Sequence, residues 1–206
     1  NAVTPITSLS DTLLGLTEAQ VSKEEIRNGL QTISSTGKGL LSFVESYRKF
    51  TRIPTPEPSL FYVKSFIGRM VELARHQHPD VRVTFHMDIA PSDLILYADE
   101  NLVSQVVINL LKNAIQAIES DKNTDKEGHI NIRAYCNEAE AILIEISNNG
   151  PAIPNDIAEH IFIPFFTTKE GGSGIGLSIS RQIMRLSGGN LSLLPSKETT
   201  FILKFN

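Results

Sequence analysis

The chain has 206 residues, 41% of them hydrophobic and 20% charged, with a formal net charge of −4. That size suits one or two small domains, and the mild acidity argues against a nucleic-acid partner, which selects a basic face. No apolar stretch approaches the length of a membrane span, no signal peptide is visible, and a single cysteine, Cys136, excludes an internal disulfide and a cysteine-based metal cage. Cys136 falls in an alternating stretch and is expected to be a buried strand residue. The first residue is Asn rather than Met, so the chain is read as a fragment of a longer protein.

Residues 1–52 carry a helical period. Ile26, Leu30, Ile33, Gly37, Leu40, Val44 and Tyr47 are spaced alternately by four and three, a heptad seam with one defect at Gly37. Upstream, Ile6, Leu9, Leu13 and Leu16 keep a similar spacing, and Ser22 with Glu25 matches a capping box opening the second helix. Two amphipathic helices joined by a turn cannot bury both stripes alone. Either a second copy completes a four-helix bundle, or the pair packs on the domain that follows. Gly37 and Gly39 each cost about 1 kcal/mol relative to alanine, so a pliant helix is expected there. The segment IPTPEP (53–58) then forbids helix and favours a stiff, extended connector. The chain accordingly divides into a hairpin (1–52), a linker (53–59) and a second domain (60–206).

In that second domain the periods predict a helix over 61–75, strands over 81–87 and 93–97, and a long apolar helix over 100–119. Strands follow at 129–136 and 141–147, a helix at 173–187, and closing strands at 190–194 and 200–205. Strands interleaved with helices, several of them hairpin-like neighbours, predict an α+β chain: a helical hairpin followed by a two-layer α/β sandwich with one mixed sheet covered on one face.

Four stretches of this domain carry chemistry. In QVVINLLKNAIQAI, Asn109 and Asn113 share one face of an otherwise apolar helix. A buried carboxamide without a partner costs about 1–3 kcal/mol, so the pair either bonds neighbouring backbone or faces a polar ligand or a metal–phosphate. EISNNGPAIP (145–154) ends a strand in turn chemistry. IFIPFFTTKE (161–170) sets two aromatics, two hydroxyls and a cation before a glycine run, although Phe165 and Phe166 also suit a core. The run itself, GGSGIGL (171–177), fails as a Walker A loop because Leu177 follows Gly176 where Lys is needed, and fails as a dinucleotide fingerprint counted from Gly172. By itself it is a flexible loop or a nucleotide clamp.

The order of these stretches resembles the ATP-binding domain of sensor histidine kinases, of the nitrogen-regulatory type, within the GHKL (Bergerat-fold) group shared with gyrase, the Hsp90 chaperones and MutL. NLLKNAIQA (109–117) is similar to the N box, NNGPAI (148–153) to the first glycine box, FIPFFTTK (162–169) to the F box and GGSGIGL to the second glycine box. Residues 1–52 resemble the dimerisation and histidine-phosphotransfer hairpin that precedes this domain. The resemblance implies ATP and Mg²⁺ as cofactors. Asn113 is the implied Mg²⁺ ligand, with Asn109 orienting that face. Asn148, Gly150 and Ala152 are implied at the base. Thr168, Gly172, Gly174, Gly176 and Leu177 are implied around the phosphates, where a glycine loop leading into a helix offers unshielded N–H groups. Lys169 is a phosphate partner or a solvated surface lysine. The implied partners are a response-regulator receiver domain and a second copy through the hairpin, in the cytoplasm, with any membrane attachment lying in segments outside this chain.

Three departures matter. ATP-hydrolysing members of the group carry a glutamate where this chain has Asn109. An amide cannot take a proton at neutral pH, so transfer to a histidine fits better than general-base hydrolysis. The acceptor stands in His-(Glu/Asp)-x-x-(Asn/Thr) in the family, which puts Asn1 at the Asn/Thr position, with a possible role in dephosphorylation, and the histidine four residues before it. None of the five histidines present precedes an acid, so the chain is expected to bind ATP without phosphorylating itself. Finally, Asn148 stands where the family has Asp, and Ala152 where it has glycine. A neutral hydrogen bond is about half as strong as a charge-assisted one, so adenine recognition is expected to weaken but survive. The alternative is a degenerate module, a scaffold or phosphatase without kinase activity.

Overall fold

A computed structural model describes residues 4–15, 23–121, 127–169, 172–194 and 198–206. It divides into two compact units, residues 1–52 and 53–206. In the first, α1 (Thr4–Gly15) packs against α2 (Lys23–Thr51). Helix α2 runs unbroken through Gly37 and Gly39. Most of its apolar seam stays in solvent: Ile26, Leu30, Val44 and Tyr47 are all exposed. The expected cap at Ser22 and the seam position Leu16 lie outside the described residues, as does Asn1.

The second unit is the α+β sandwich. Its sheet has the order β2-β4-β5-β7-β6, built from β2 (Val83–Ala90), β4 (Gly128–Cys136), β5 (Ile142–Asn148), β7 (Thr199–Phe205) and β6 (Asn190–Leu194). Only β2 and β4 run parallel, so the sheet is mixed. Alternation explains its two faces. Ile130, Ile132 and Ala134 of β4 and Ile144, Ile146 and Asn148 of β5 point into the core. Their neighbours form a polar open face on which Arg133 reaches Asp88 at 3.5 Å and Glu145 at 3.7 Å.

Helices α3 (Val63–Gln77), α4 (Glu100–Glu119) and α6 (Gly176–Leu186) cover the inner face, and the short α5 (Asn155–Ala158) buries none of its residues. Helix α4 forms the central rod because Leu102, Val103, Val106, Val107, Leu110, Leu111, Ala114 and Ile115 are all buried. Asp99 starts it, its Oδ1 accepting from the backbone N–H of Asn101 at 2.9 Å and Leu102 at 3.0 Å. The other oxygen of Asp99 accepts from Glu57 N at 2.8 Å and ties the proline connector to the helix. These bonds, that of Glu57 foremost, hold the carboxyl below its usual range against the opposing effect of burial.

Three expectations are corrected. The helix expected from residue 61 starts at Val63, because Ser59–Tyr62 forms β1, paired antiparallel with β3 (Ile95–Ala98). Pairing between strands more than thirty residues apart overrides the local period. The last helix begins at Gly176 rather than 173, since Gly174 adopts φ +66° and cannot continue a right-handed helix. Cys136 does lie on a strand but is exposed, being the last residue of β4 beside the 137–140 turn.

Candidate functional site

One face of α4, from its midpoint on, carries three amide side chains. Asn109, Asn113 and Gln116 recur at i, i+4 and i+7 and are each half-buried. At the first of these, Asn109 Nδ2 donates to Ser180 Oγ of α6 at 3.0 Å. A Cβ at Gly176 would stand 2.5 Å from Asn109 Oδ1, so glycine lets the start of α6 approach this amide without displacing it. Asn109 therefore braces α4 against the helix that the glycine loop enters.

One turn on, Asn113 Oδ1 accepts from Lys169 Nζ at 3.2 Å, and Gln116 Oε1 accepts from the same ammonium at 2.7 Å. The Lys169 ammonium is held below its usual pKa, first by desolvation against the helix and second by the charge of Lys112. Much of the side chain remains in solvent, which screens both effects. Two like charges converge on one rim, an arrangement suited to a polyanion.

The loop between α5 and α6 carries Lys169 to this position. Thr167 Oγ1 accepts from Lys169 N at 3.1 Å, whereas Thr168 is exposed. Phe165 N donates to Gly174 O at 2.8 Å, and a Cβ at Gly174 would stand 2.5 Å from the Phe165 carbonyl carbon. Phe165 itself has φ +67°, a costly conformation for a bulky residue. The aromatic stretch and the glycine run are thus one hydrogen-bonded loop. Gly172 is exposed beside Thr167, and Leu177 packs partly buried against the core as α6 begins.

At the far end of the face lies the β5 terminus. Gly150 abuts the last turn of α4, where a Cβ would come within 2.9 Å of the backbone of Ala117 and Ile118. Asn148 is 3% exposed, and its Nδ2 has no hydrogen-bond partner among the described residues. Its cross-strand partner is Thr199, also buried. Ala152 is exposed at the rim. From Asn109 to Ile118 the helix rises about 13 Å. Along that length stand a loop anchor, a cationic cluster and a buried amide whose nitrogen has no partner among the described residues.

Gln116, Lys112, Ser180 and Thr199 are members of this arrangement that no motif singled out. Gln116 is the exception with a readable signal, since it continues the Asn109–Asn113 face. Among the described residues no group of three or more His, Cys, Asp or Glu could hold a metal ion. A cation here would take an amide oxygen, ligand phosphates and water, which suits Mg²⁺.

The family model for histidine kinase-, DNA gyrase B- and HSP90-like ATPases matches residues 98–206. The chain is 34% identical over 156 residues to the nitrogen regulation protein NtrY of Azorhizobium caulinodans, covering 75% of this chain and 20% of that protein. It is 28% identical over 205 residues to the signal transduction histidine-protein kinase AtoS of Escherichia coli, covering 98% of this chain and 32% of that one. Among solved structures, the nucleotide-free catalytic domain of histidine kinase ThkA matches with a TM-score of 0.61 at 32% identity, over 72% of this chain and 95% of that one. ThkA in complex with the response regulator protein TrrA matches with a TM-score of 0.67 at 25% identity, over 99% of this chain and 58% of that one. The chain belongs to the histidine kinase-, DNA gyrase B- and HSP90-like ATPase family and carries the catalytic domain of a two-component sensor histidine kinase. It spans about a third or less of the curated relatives named here.

Proposed function

We propose that this chain is the cytoplasmic catalytic portion of a sensor histidine kinase, binding ATP with Mg²⁺ and directing its γ-phosphoryl group to a histidine. The observation that carries this reading is the convergence of Lys169, Asn113 and Gln116 on one helix face, together with the buried Asn148 at the end of β5, whose Nδ2 has no hydrogen-bond partner among the described residues. Asn148 and Thr199 would meet the base, with Gly150 and Ala152 beside them. Lys169 and Lys112 would meet the phosphates, under the loop that carries Thr168, Gly172, Gly174 and Gly176, with Leu177 anchoring its far end. Asn113 Oδ1 would bind Mg²⁺, which supplies charge neutralisation on the phosphate oxygens. Lys169 now donates to that same oxygen, so it must shift as the ion arrives.

The reaction needs no base from this face. An imidazole nitrogen attacks the γ-phosphorus, the bond to the β-phosphate oxygen breaks, and ADP leaves. Asn109 cannot act as a general base, and its amide donates to Ser180. Its role is to position the loop, which disfavours water activation. The phosphohistidine would then serve an aspartate on a response-regulator receiver domain. The exposed seam of α2 supports dimerisation of the hairpin into a four-helix bundle. The acceptor histidine is expected four residues before Asn1, and Asn1 itself is a candidate for positioning water in the reverse, dephosphorylating reaction.

A second reading is favoured by Asn148 alone: loss of the carboxylate leaves a scaffold or phosphatase module that no longer binds nucleotide. Isothermal titration with ATP and Mg²⁺ separates the two. Saturable heat is expected, and none at millimolar nucleotide would leave the scaffold standing.

A further inference from the structure

Two carboxamides stand side by side at the end of β5 and are held in opposite ways. Asn149 is pinned at both ends: Oδ1 accepts from His129 N at 2.9 Å, and Nδ2 donates to Glu127 O at 2.8 Å. It extends the pairing of β5 with β4, and neither end can turn. Asn148 is equally buried, yet its Nδ2 meets no acceptor among the described residues. A buried donor of this kind carries an unrelieved desolvation penalty until an acceptor reaches it. Glycine keeps the adjoining gap open, since a Cβ at Gly150 would stand 3.0 Å from that nitrogen.

A carboxamide presents a donor and an acceptor side by side, and rotation about its terminal bond exchanges them. Where the nitrogen is already bonded, as in Asn149, rotation breaks something. In Asn148 it breaks no Nδ2 bond to a described residue. Adenine offers a donor, its 6-amino group, next to an acceptor, N1. A 6-oxopurine such as hypoxanthine or guanine offers the reverse, the O6 acceptor next to the N1–H donor. One orientation of the amide matches each edge with two hydrogen bonds. A carboxylate could only accept, so where it reaches position 6 alone it would pair with the 6-amino group and repel O6.

Resting on the nucleotide-binding role proposed above, we infer that Asn148 reads the base edge in either order, so that this site takes 6-oxopurine nucleoside triphosphates as well as adenine ones. The sheet end therefore acts as a relaxed specificity determinant rather than a weakened copy of an adenine-only site.

Inosine triphosphate is the probe, because it reverses the edge of adenine and adds no other group to the base. Titration of the full chain with ATP and with ITP, each with Mg²⁺, is expected to give affinities within about tenfold of each other, a ratio corresponding to one hydrogen bond or less. In the Asn148→Asp variant, checked for an unchanged melting curve, the preference for ATP is expected to widen by about tenfold or more. The wild-type ratio is informative without any variant. ATP binding with ITP weaker by more than tenfold overturns the inference and leaves ATP binding intact. An Asn148→Asp ratio equal to that of the wild type overturns it as well. Binding of neither nucleotide removes the nucleotide-binding role itself, and the inference with it.

Discussion

Replacing Lys169 by Met keeps the length of the side chain and removes its charge. In the free protein the ammonium bridges Gln116 Oε1 at 2.7 Å and Asn113 Oδ1 at 3.2 Å, both neutral acceptors. Folding stability should change little, since the side chain is largely in solvent and each amide can turn to water. The effect belongs to binding. An ammonium and a phosphate oxygen about 4 Å apart attract by roughly 1–4 kcal/mol for effective dielectric constants between bulk water and a protein surface. Exposure places Lys169 toward the lower bound, about 1–2 kcal/mol, or a loss of roughly 5- to 30-fold in affinity. The loss should fall on ATP and spare adenosine, which has no phosphate to attract. It should also shrink at high ionic strength, where the Debye length falls to about 3 Å at 1 M salt. Titration calorimetry of wild type and Lys169→Met with both ligands, at low and high salt, tests each part. Equal losses for ATP and adenosine, or no loss for either, would refute a phosphate role for this lysine and return it to the surface.

Gly174→Ala forces a side chain onto a residue at φ +66° and against the Phe165 carbonyl carbon. It should cost about 1–2 kcal/mol of loop order and lower ATP affinity in calorimetry while leaving the melting temperature nearly unchanged. Gly150→Ala drives a Cβ toward the α4 backbone at Ala117 and Ile118. Overpacking of this kind should destabilise the domain by about 1–3 kcal/mol in urea unfolding. Asp99→Ala removes a helix cap and the tie to Glu57, which should cost about 1–2 kcal/mol at neutral pH. Because the folded pKa of Asp99 is depressed, its contribution is complete above the ordinary carboxylate value and is lost as pH falls through the lower folded value. The difference between wild type and Asp99→Asn in unfolding free energy should therefore be flat near neutrality and shrink in acid.

What could be read from the sequence follows a physical rule. Asn109 and Asn113 stood out because two amides on an otherwise apolar helix contradict its hydrophobic pattern, and Gly174 because glycine is dear where no turn is needed. The long helix was legible to the residue, Glu100–Glu119, since its apolar stripe continues over the whole span. Residues that break no local pattern stayed silent. Ser180 sits in an amphipathic helix where a serine is ordinary, and its partner Asn109 lies 71 positions away. Thr199 is a common strand residue whose place opposite Asn148 depends on the pairing of β5 with β7. Asp99 looks like any polar residue after a strand until its bond to Glu57, 42 positions earlier, is known. Strand β1 was lost for the same reason, because its partner β3 lies beyond any local window. Periodicity reports what one element buries and is blind to what two elements share. A site assembled from α4, the β5 terminus and the glycine loop is visible in sequence only where each element departs from its own rule. Asn148 shows this most sharply: beside Asn149 it reads as one half of a turn, and only the structure separates the neighbour bonded at both ends from the amide whose nitrogen meets no acceptor among the described residues.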